Sequence, residues 1–399
     1  MGDSRHPPQT VALECARVWF DIAAFVPEVE KFAAGRDERG LAGSPPGRSR
    51  SCHRLRGVRA VRFHEHGGRD VLRLDDVPAP VPADDEVLVR VRACALNHFD
   101  IDLRENLSRW PLELPWTLGI EFAGDVAAVG RSVDHVQEGQ RVWVLHELHC
   151  EACSHCLAGE DNLCEAAMMW SVQKPGAYAE YVAAPARGVF PLPDDVSHDA
   201  AAAGQIVFTT AWHMLIERGR LRAGETVLVS AAGSGVGHAA IQIAKHAGAT
   251  VITTAGSDEK LAAARDDGAD HVVNYRNENV TERALEATGG RGVDVVIEHI
   301  GGEQFGACLA ALRKGGRLVT CGGHAGEVVD FDIIPVFRNE WQVIGSRTGT
   351  TREVKTVMEL IADGEFRPRV HAALPLEEAA EAHRMLEERQ HFGKIVLNP

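Results

Sequence analysis

From Thr226 to Ser257 the chain reads TVLVSAAGSGVGHAAIQIAKHAGATVITTAGS, which is an apolar strand, a glycine-rich turn, a helix and a second strand. No other stretch restricts the fold as strongly, because it sets glycines where a pyrophosphate meets the first backbone N–H groups of a helix. Gly235 and Gly237 allow close backbone approach, while Ala232 and Ser234 stand where the G-x-G-x-x-G pattern has its first two glycines. Ser234, Gly235, Val236 and Gly237 are therefore the expected cofactor-binding residues of this turn. A dinucleotide site that selects NAD normally ends its second strand in Asp or Glu. Here that strand ends in Ala255, Gly256 and Ser257, with Lys260 one turn further on. A hydroxyl and a lysine suit a 2′-phosphate better than a 2′-hydroxyl, so NADP(H) is favoured over NAD(H). Asp258 is the competing residue, either reaching the hydroxyl after a small shift or serving as a helix N-cap.

The surrounding sequence continues this pattern. From Glu225 onward, strands and helices alternate every twenty to thirty residues, as a parallel doubly wound sheet requires. Six strands are expected, at Thr226 to Ser230, Val251 to Thr254, His271 to Val273, Val293 to Glu298, Arg317 to Cys321 and Gln342 to Gly345. Gly322 and Gly323 follow the fifth strand, and Gly345 with Ser346 follows the sixth, where ligands bind in open parallel sheets. Upstream, VRAVRFHE, DEVLVRVRACAL, EFAGDVAAVG, QRVWVL and GAYAEYVAA are short β-branched runs between turns, the texture of an antiparallel β domain. The tail carries helices expected at Thr351 to Asp363 and Leu376 to Glu388, then a last strand in GKIVLNP that returns to the first domain.

The first 57 residues differ from the rest. A helix is conceivable over Val11 to Phe32, but Ala34 to Gly57 is rich in Gly, Pro, Ser and Arg and reads as linker. The expectation is a poorly ordered extension without a part in the chemistry, with the folded protein beginning at Val58. The chain has 399 residues, 45% hydrophobic and 25% charged, which is ordinary globular composition with room for two cores. A net charge of -15 repels phosphate backbones and anionic lipid, and no apolar run is long enough to span a bilayer. Neither nucleic acid nor a membrane is an expected partner, and a cytoplasmic location is expected.

Four of the nine cysteines, Cys150, Cys153, Cys156 and Cys164, follow one another as C-x2-C-x2-C-x7-C. Four thiolates complete the tetrahedral shell of zinc with no open position, so this lobe is expected to hold one structural Zn2+. His146, His149 and His155 lie nearby and are expected to be solvated. Cys15, Cys52, Cys94, Cys308 and Cys321 are scattered and expected to be free thiols.

The two motifs in this order resemble the medium-chain dehydrogenase/reductase family, together with ACALNHFDID, LGIEFAGDVAAVG, AAAGQIVFTTAWHML, GADHVVNY, GGRLVTCGG, VIGSRTGT and GKIVL, over about Val58 to Pro399. The resemblance implies an α/β fold. A GroES-like, β-rich catalytic domain would cover 58–187, with the zinc lobe at 150–164. An inserted Rossmann doubly wound parallel sheet would cover 188–346, and 347–399 would return to the catalytic domain. It implies that Thr210 lies near the nicotinamide, unless it is only a helix-start hydroxyl, and it adds Tyr275 to the cofactor site.

In the zinc alcohol dehydrogenase branch a catalytic zinc is held from three places, which fall here on Asn97, Ile120 and Ile206. An amide and two aliphatic side chains do not hold zinc, although Asp100, Glu121 and His98 leave an improvised site conceivable. The ALN segment is instead similar to the quinone reductase-like branch, which transfers hydride from NADPH to quinones or enones without a metal. Asp102 stands where that branch often has a tyrosine. Asn97, His98, Asp100 and Asp102 are the candidate catalytic residues, with Arg104 a further candidate for orienting substrate and with solvent as an alternative proton source. The segment Trp110 to Trp116 (WPLELPW) is expected either to line the cleft or to serve loop packing. The resemblance also implies a small-molecule substrate and a homodimer formed through Trp341 to Ser346. Two other readings stay open, a zinc alcohol dehydrogenase with atypical ligands and a dinucleotide-binding protein without catalysis.

Overall fold

The strand Glu86–Ala95 (EVLVRVRACA) sets Val87, Val89, Val91, Ala93 and Ala95 on one face, all of them buried, while the other face carries Glu86, Arg90 and Arg92. In the computed structural model, which describes residues 57–330 and 332–399, it is the centre of a seven-stranded sheet. Its partners are Glu121–Val129, Tyr181–Pro185 and the last strand, Lys394–Asn398, all antiparallel to it. The C-terminal tail therefore completes the sheet that the first strands began. The register is decisive for the site. Ala95 lies opposite Glu121 on one side and opposite Val396 on the other. Continuing two residues along antiparallel strands brings Asn97 to the level of Lys394, beside Glu121.

The second sheet is parallel throughout. Its spatial order is His271–Asn274, Thr250–Ala255, Thr226–Val229, Val293–Glu298, Leu312–Thr320, Gln342–Gly345. Numbered along the chain this order is 3-2-1-4-5-6, the doubly wound arrangement, with its crevice where the order reverses between the first and fourth strands. Val227, Leu228 and Val229 are wholly buried, as expected of a parallel strand covered on both faces. The fifth strand starts at Leu312 rather than at Arg317, because Gly315 (φ +68°) is accommodated within an irregular strand instead of ending a turn.

The helix His198–Trp212 joins the two sheets, with Ser197 as its N-cap. It is buried over Ala201–Ala211, and a Cβ on Gly204 would stand 2.6 Å from Ile361 Cδ1, so only a small residue fits there. Thr210 lies near the end of this helix and is buried, so the helix-start reading of its hydroxyl does not hold. The tail helices are Thr351–Ala362, closed by a capping box between Thr350 and Glu353, and Ala379–Glu387. Among the described residues no helix is long and apolar enough to cross a membrane. The expected helix over Val11 to Phe32, the linker after it, and Cys15 and Cys52 lie outside the described residues.

Candidate functional site

The glycine-rich turn is built by local hydrogen bonds. Ala231 takes a left-handed conformation (φ +50°), and Ser234 caps the helix Gly235–His246 by accepting from Gly237 N (2.9 Å). A Cβ on Gly237 would come within 2.2 Å of Ala231 O, and one on Gly235 within 2.7 Å of Val207 and 2.9 Å of Lys394 Cδ. These glycines thus serve the close packing of turn, helix and last strand, while Val236 is half-buried. Ser234 Oγ donates to Ala231 O (2.9 Å), so His299 Nε2, 2.8 Å away, is the donor in their contact. That tautomer leaves His299 Nδ1 a buried acceptor without a partner. Burial, then His324, lowers the pKa of His299 to about 4.

Among the other buried polar atoms without partners are Glu298 Oε2, Ser346 Oγ, Thr348 Oγ1 and Thr209 Oγ1. Glu298 ends the fourth parallel strand, and Ser346 follows the sixth. Gly345 has open space where a Cβ would be, and Gly322 and Gly323 follow the fifth strand. Unsatisfied polar atoms at strand carboxyl ends, beside a glycine cradle, fit a polar dinucleotide laid across the crevice.

At the end of the second strand, Ser257 Oγ caps the helix Asp258–Asp266. Asp258 is therefore its first helical residue rather than the cap, and its Oδ1 accepts from Asn274 Nδ2 (3.3 Å). Lys260 donates to Arg389 O (2.7 Å), and its pKa is lowered by burial and then by Arg389 and Arg276. Tyr275 Oη and Arg276 Nε would stand 2.5 and 3.1 Å from a Cβ on Gly256. Lys260, Arg276 and Arg389 thus gather positive charge at this strand end, and sequence reasoning had found only the first.

Two of the three places where the resemblance implies a zinc ligand, Asn97 and Ile206, meet in one buried network at Glu121, the neighbour of the third, Ile120. Asn97 Nδ2 donates to Glu121 Oε1 (3.0 Å), and Ile206 N donates to Glu121 Oε2 (2.9 Å). Lys394 Nζ donates to Asn97 Oδ1 (2.8 Å) and is paired with Glu121 Oε1. Lys394 is 5% exposed and Glu121 0%, and Lys394 is the one buried lysine among the described residues. An ammonium group therefore sits against the carboxylate and amide, and Ile120 and Ile206 offer the place only aliphatic side chains. The residues present do not fit a catalytic zinc.

The remaining candidates separate. Asp100 Oδ2 accepts from Asn97 N (2.8 Å) and Oδ1 from Gly119 N (3.1 Å), and burial raises its pKa to about 6. Both oxygens fasten backbone, so Asp100 reads as a helix-start anchor. Arg104 is fully buried and bonds Gly67 O, His383 Nδ1 and Glu387, which places it in the core and away from substrate. His98 packs its ring 5.0 Å from that of His324, and His324 Nδ1 lies 3.6 Å from Asp102 Oδ2. Burial, then His324, lowers His98 to about 3, so its imidazole is neutral. His324 comes from the loop after the fifth parallel strand and was not anticipated from sequence. Trp110 is 45% exposed, whereas Trp116 Nε1 donates to Ser171 O (2.8 Å) as part of the packing.

The cysteine lobe is a separate construction. Cys153 caps the short helix Ser154–Ala158, which Gly159 ends in the left-handed region (φ +78°). The Sγ atoms of Cys150, Cys153, Cys156 and Cys164 lie within 4.8 Å of one another. Backbone N–H groups of Ala152 and Cys153 draw the Cys150 thiol down to about 6, while burial and the neighbouring thiols push Cys156 up to about 12. Four such sulfurs do not ionise together without a cation, and their number and closeness fit tetrahedral zinc. Arg347 ties the lobe to the parallel sheet through Glu147 and Asn162 O. His146 and His149 are buried rather than solvated, the first held by Gln205 and the second by Thr351, whereas His155 pairs with Glu160.

Comparison with known proteins places both halves. Residues 83–194 match the family described as alcohol dehydrogenase GroES-like domain, and residues 235–363 match zinc-binding dehydrogenase. The quinone oxidoreductase of Homo sapiens is 31% identical over 352 residues, covering 85% of this chain and 97% of the relative. The chain belongs to the medium-chain dehydrogenase/reductase family, zinc-binding alcohol dehydrogenase superfamily, quinone reductase-like. The quinone oxidoreductase of Salmonella typhimurium is 32% identical and covered to 99%. A solved NAD-dependent alcohol dehydrogenase is 41% identical, with a TM-score of 0.82 over 86% of this chain and 99% of its own. Membership makes the chain an oxidoreductase of a family that uses nicotinamide dinucleotides on small molecules, and the four-cysteine cluster resembles its structural zinc site. The signal for Lys394 was present in the family segment GKIVL, but nothing local to it announces a buried ammonium.

Proposed function

We propose that this chain is an NADPH-dependent reductase that transfers hydride to a quinone, enone or similarly electron-poor carbonyl compound without a catalytic metal. The observation that carries this reading is the network of Asn97, Glu121 and Lys394, in which Asn97 is one of the places where the resemblance expects a zinc ligand and Glu121 adjoins another and accepts from the backbone of the third. Without a Lewis acid, turnover needs an acceptor already activated, or hydrogen-bond donors at the developing oxyanion. When bound, the cofactor supplies the hydride. Ser234, Gly235, Val236 and Gly237 receive its diphosphate at the helix start, and Thr210, Gly322, Gly323, Gly345 and Ser346 border its nicotinamide. Ser257, Lys260 and Tyr275, joined by Arg276 and Arg389, hold the 2′-phosphate, which favours NADP(H). His98 and Asp102, with His324, form the polar wall from which the product oxygen takes its proton.

The division proposed is a catalytic domain over 58–187 with the lobe at 150–164, a Rossmann domain over 188–346 and a return over 347–399. The exposed edge strand Gln342–Gly345 serves a homodimer. The test is a panel of quinones, enones and simple alcohols run with NADPH and NADH alongside metal analysis. Reduction of quinones or enones with one zinc per chain is expected. Two zincs with alcohol oxidation would establish the alternative that the 41% identical alcohol dehydrogenase favours, a zinc enzyme with atypical ligands. NADPH binding with no turnover of any acceptor would leave a non-catalytic binding protein.

A further inference from the structure

The parallel sheet has a second concave end, opposite the cofactor turn. A cavity of about 460 Å³ opens there, where Glu225 precedes the first strand, Arg313 and Arg317 lie early in the fifth and Gln342 begins the sixth. Five arginines and two glutamates line it, in a chain whose net charge is -15. The acids beside it are largely engaged. Arg317 holds Glu225 by a two-pronged pair (Nη1 to Oε1 3.1 Å, Nη2 to Oε2 2.6 Å), and Arg222 N also donates to Glu225 Oε2 (2.9 Å). Arg291 and Arg313 share Asp294, which accepts from Thr226 N as well (2.8 Å). Arg317 further bonds Gly219 O and Arg220 O, which fastens the loop 218–222 (RGRLR) to the sheet. Gly219 and Leu221 are buried, and the arginines at 218, 220 and 222 are exposed. The loop is also fixed from its own side. It leaves the π-helical segment His213–Arg218, and a Cβ on Gly219 would stand 2.6 Å from Met214 O. Arg220 takes a left-handed conformation (φ +49°), where glycine or asparagine would cost less.

Arg220 and Arg222 have no side-chain partner among the described residues, and Arg218 spends only its Nε, on Gly345 O (3.0 Å). Glu217 is the one lining carboxylate not already paired, and a single carboxylate does not satisfy three guanidinium groups. Each guanidinium is a planar fork suited to two parallel bonds with an oxyanion. One carboxylate offers two oxygens to three forks, whereas linked phosphates offer oxygens on every phosphorus and carry the charge to match. The geometry points to a second anion site in this cavity, which takes a compact polyphosphate between Arg218, Arg220 and Arg222. It is separate from the place of the cofactor diphosphate, which lies at the carboxyl end of the same strands. Arg313 and Arg317 are positioning residues, because their own charges are matched by Asp294 and Glu225 while they hold the wall and the loop. The inference does not depend on which acceptor receives hydride.

The test titrates the full chain with inorganic triphosphate, orthophosphate and citrate by calorimetry, as wild type and as R220Q/R222Q, R218Q/R222Q and R276Q. R218Q/R222Q leaves the left-handed residue 220 untouched, so the question stays answerable if R220Q/R222Q fails to fold. R276Q is the control at the cofactor strand end. Wild type is expected to bind triphosphate at least about tenfold more tightly than orthophosphate or citrate, because only triphosphate engages several forks at once. Either double variant should weaken triphosphate about 30-fold or more, through the loss of two charge-assisted contacts. R276Q should stay within about twofold of wild type, since its site is distant and shares no partner with the cavity. Failure of wild type to bind triphosphate would overturn the inference, and so would citrate binding as tight as triphosphate. An equal loss in R276Q would also overturn it, and would place the anion at the cofactor strand end. If the cavity instead receives an acidic segment of a second copy, triphosphate does not bind and the double variants change the mass read by light scattering, which overturns it as well.

Discussion

The cysteine lobe and the floor of the catalytic sheet, the two places where the family resemblance implies metal, are built in opposite ways. The lobe takes its four ligands from one short stretch, Cys150 to Cys164, and brings their sulfurs within 4.8 Å of one another. The floor draws Asn97, Glu121, Ile206 and Lys394 from distant parts of the chain and closes them around an ion pair. A local ligand set survives as long as its own turn survives. A distributed one depends on strand register, and once its ligands are replaced the same register assembles whatever stands in their positions. The family relationship therefore fixes the scaffold at both places and the chemistry at neither.

This contrast is open to direct attack. The largest effect is expected at the lobe, where C153S/C156S should abolish zinc content and remove stability on the order of 5 kcal/mol, below the 10–16 of isolated zinc peptides because the sheets remain. Elemental analysis and thermal melting check it. A variant that loses zinc but melts like wild type would show the lobe to be dispensable. At the floor, E121L should cost about 3–5 kcal/mol by leaving the Lys394 ammonium buried and unpaired, and adding K394M should restore most of it. Denaturant unfolding of the two variants measures the recovery, and simple additivity of the two losses would contradict the network.

A third expectation concerns acid. Burial lowers His383 to about 3, with Arg104 adding to the effect, and lowers His299 and His391 to about 4. Arg104 Nη1 donates to His383 Nδ1 (2.9 Å), which demands a neutral ring. An unfolded histidine titrates near 6.5, so between that value and the folded one the unfolded chain binds more protons and stability rises with pH. Their contribution is complete above about 6.5 and is lost as pH falls toward 4 and then 3, at about 1.4 kcal/mol per pH unit for each histidine. H383Q should flatten the stability profile between pH 6 and 4. An unchanged profile would mean that His383 is not the group that titrates.

How much of this was legible in the sequence follows from the same distinction. The glycine turn, the six parallel strands and the cysteine spacing are local patterns, and all appear in the structure with shifts at their ends. Asn97, Ile120 and Ile206 were singled out only through the family resemblance, which expects a zinc ligand at each of those places. What stands there instead was not legible, because Lys394 lies 273 residues from Glu121 and reads on its own as the first residue of a strand. His324, Arg276 and Arg389 were missed for the same reason. Asp100 and Arg104 drew suspicion as polar residues in a catalytic segment, yet burial and bonding assign them to backbone anchoring and the core. A polar residue's role is set by which groups reach it, and that is a tertiary property.

The smallest effect expected tests a feature that is partly local and partly distributed, the cationic strand end at Gly256. Ser257 and Lys260 are in the sequence pattern, but Ser257 Oγ is engaged as a helix cap and Lys260 Nζ by Arg389 O. Arg276, whose Nε would stand 3.1 Å from a Cβ on Gly256, carries a planar fork matched to phosphate and has no carboxylate partner among the described residues. If the pattern alone decided the cofactor, Lys260 would matter most. If the assembled geometry decides it, R276A should raise KM for NADPH about 10-fold or more and leave KM for NADH within about twofold, since a charge-assisted phosphate contact contributes about 1.5–3 kcal/mol. K260A should do less, because its ammonium is already engaged. Steady-state kinetics with both cofactors decide between the two, and equal losses on NADPH and NADH in R276A would show that Arg276 supports the strand end without reading the phosphate.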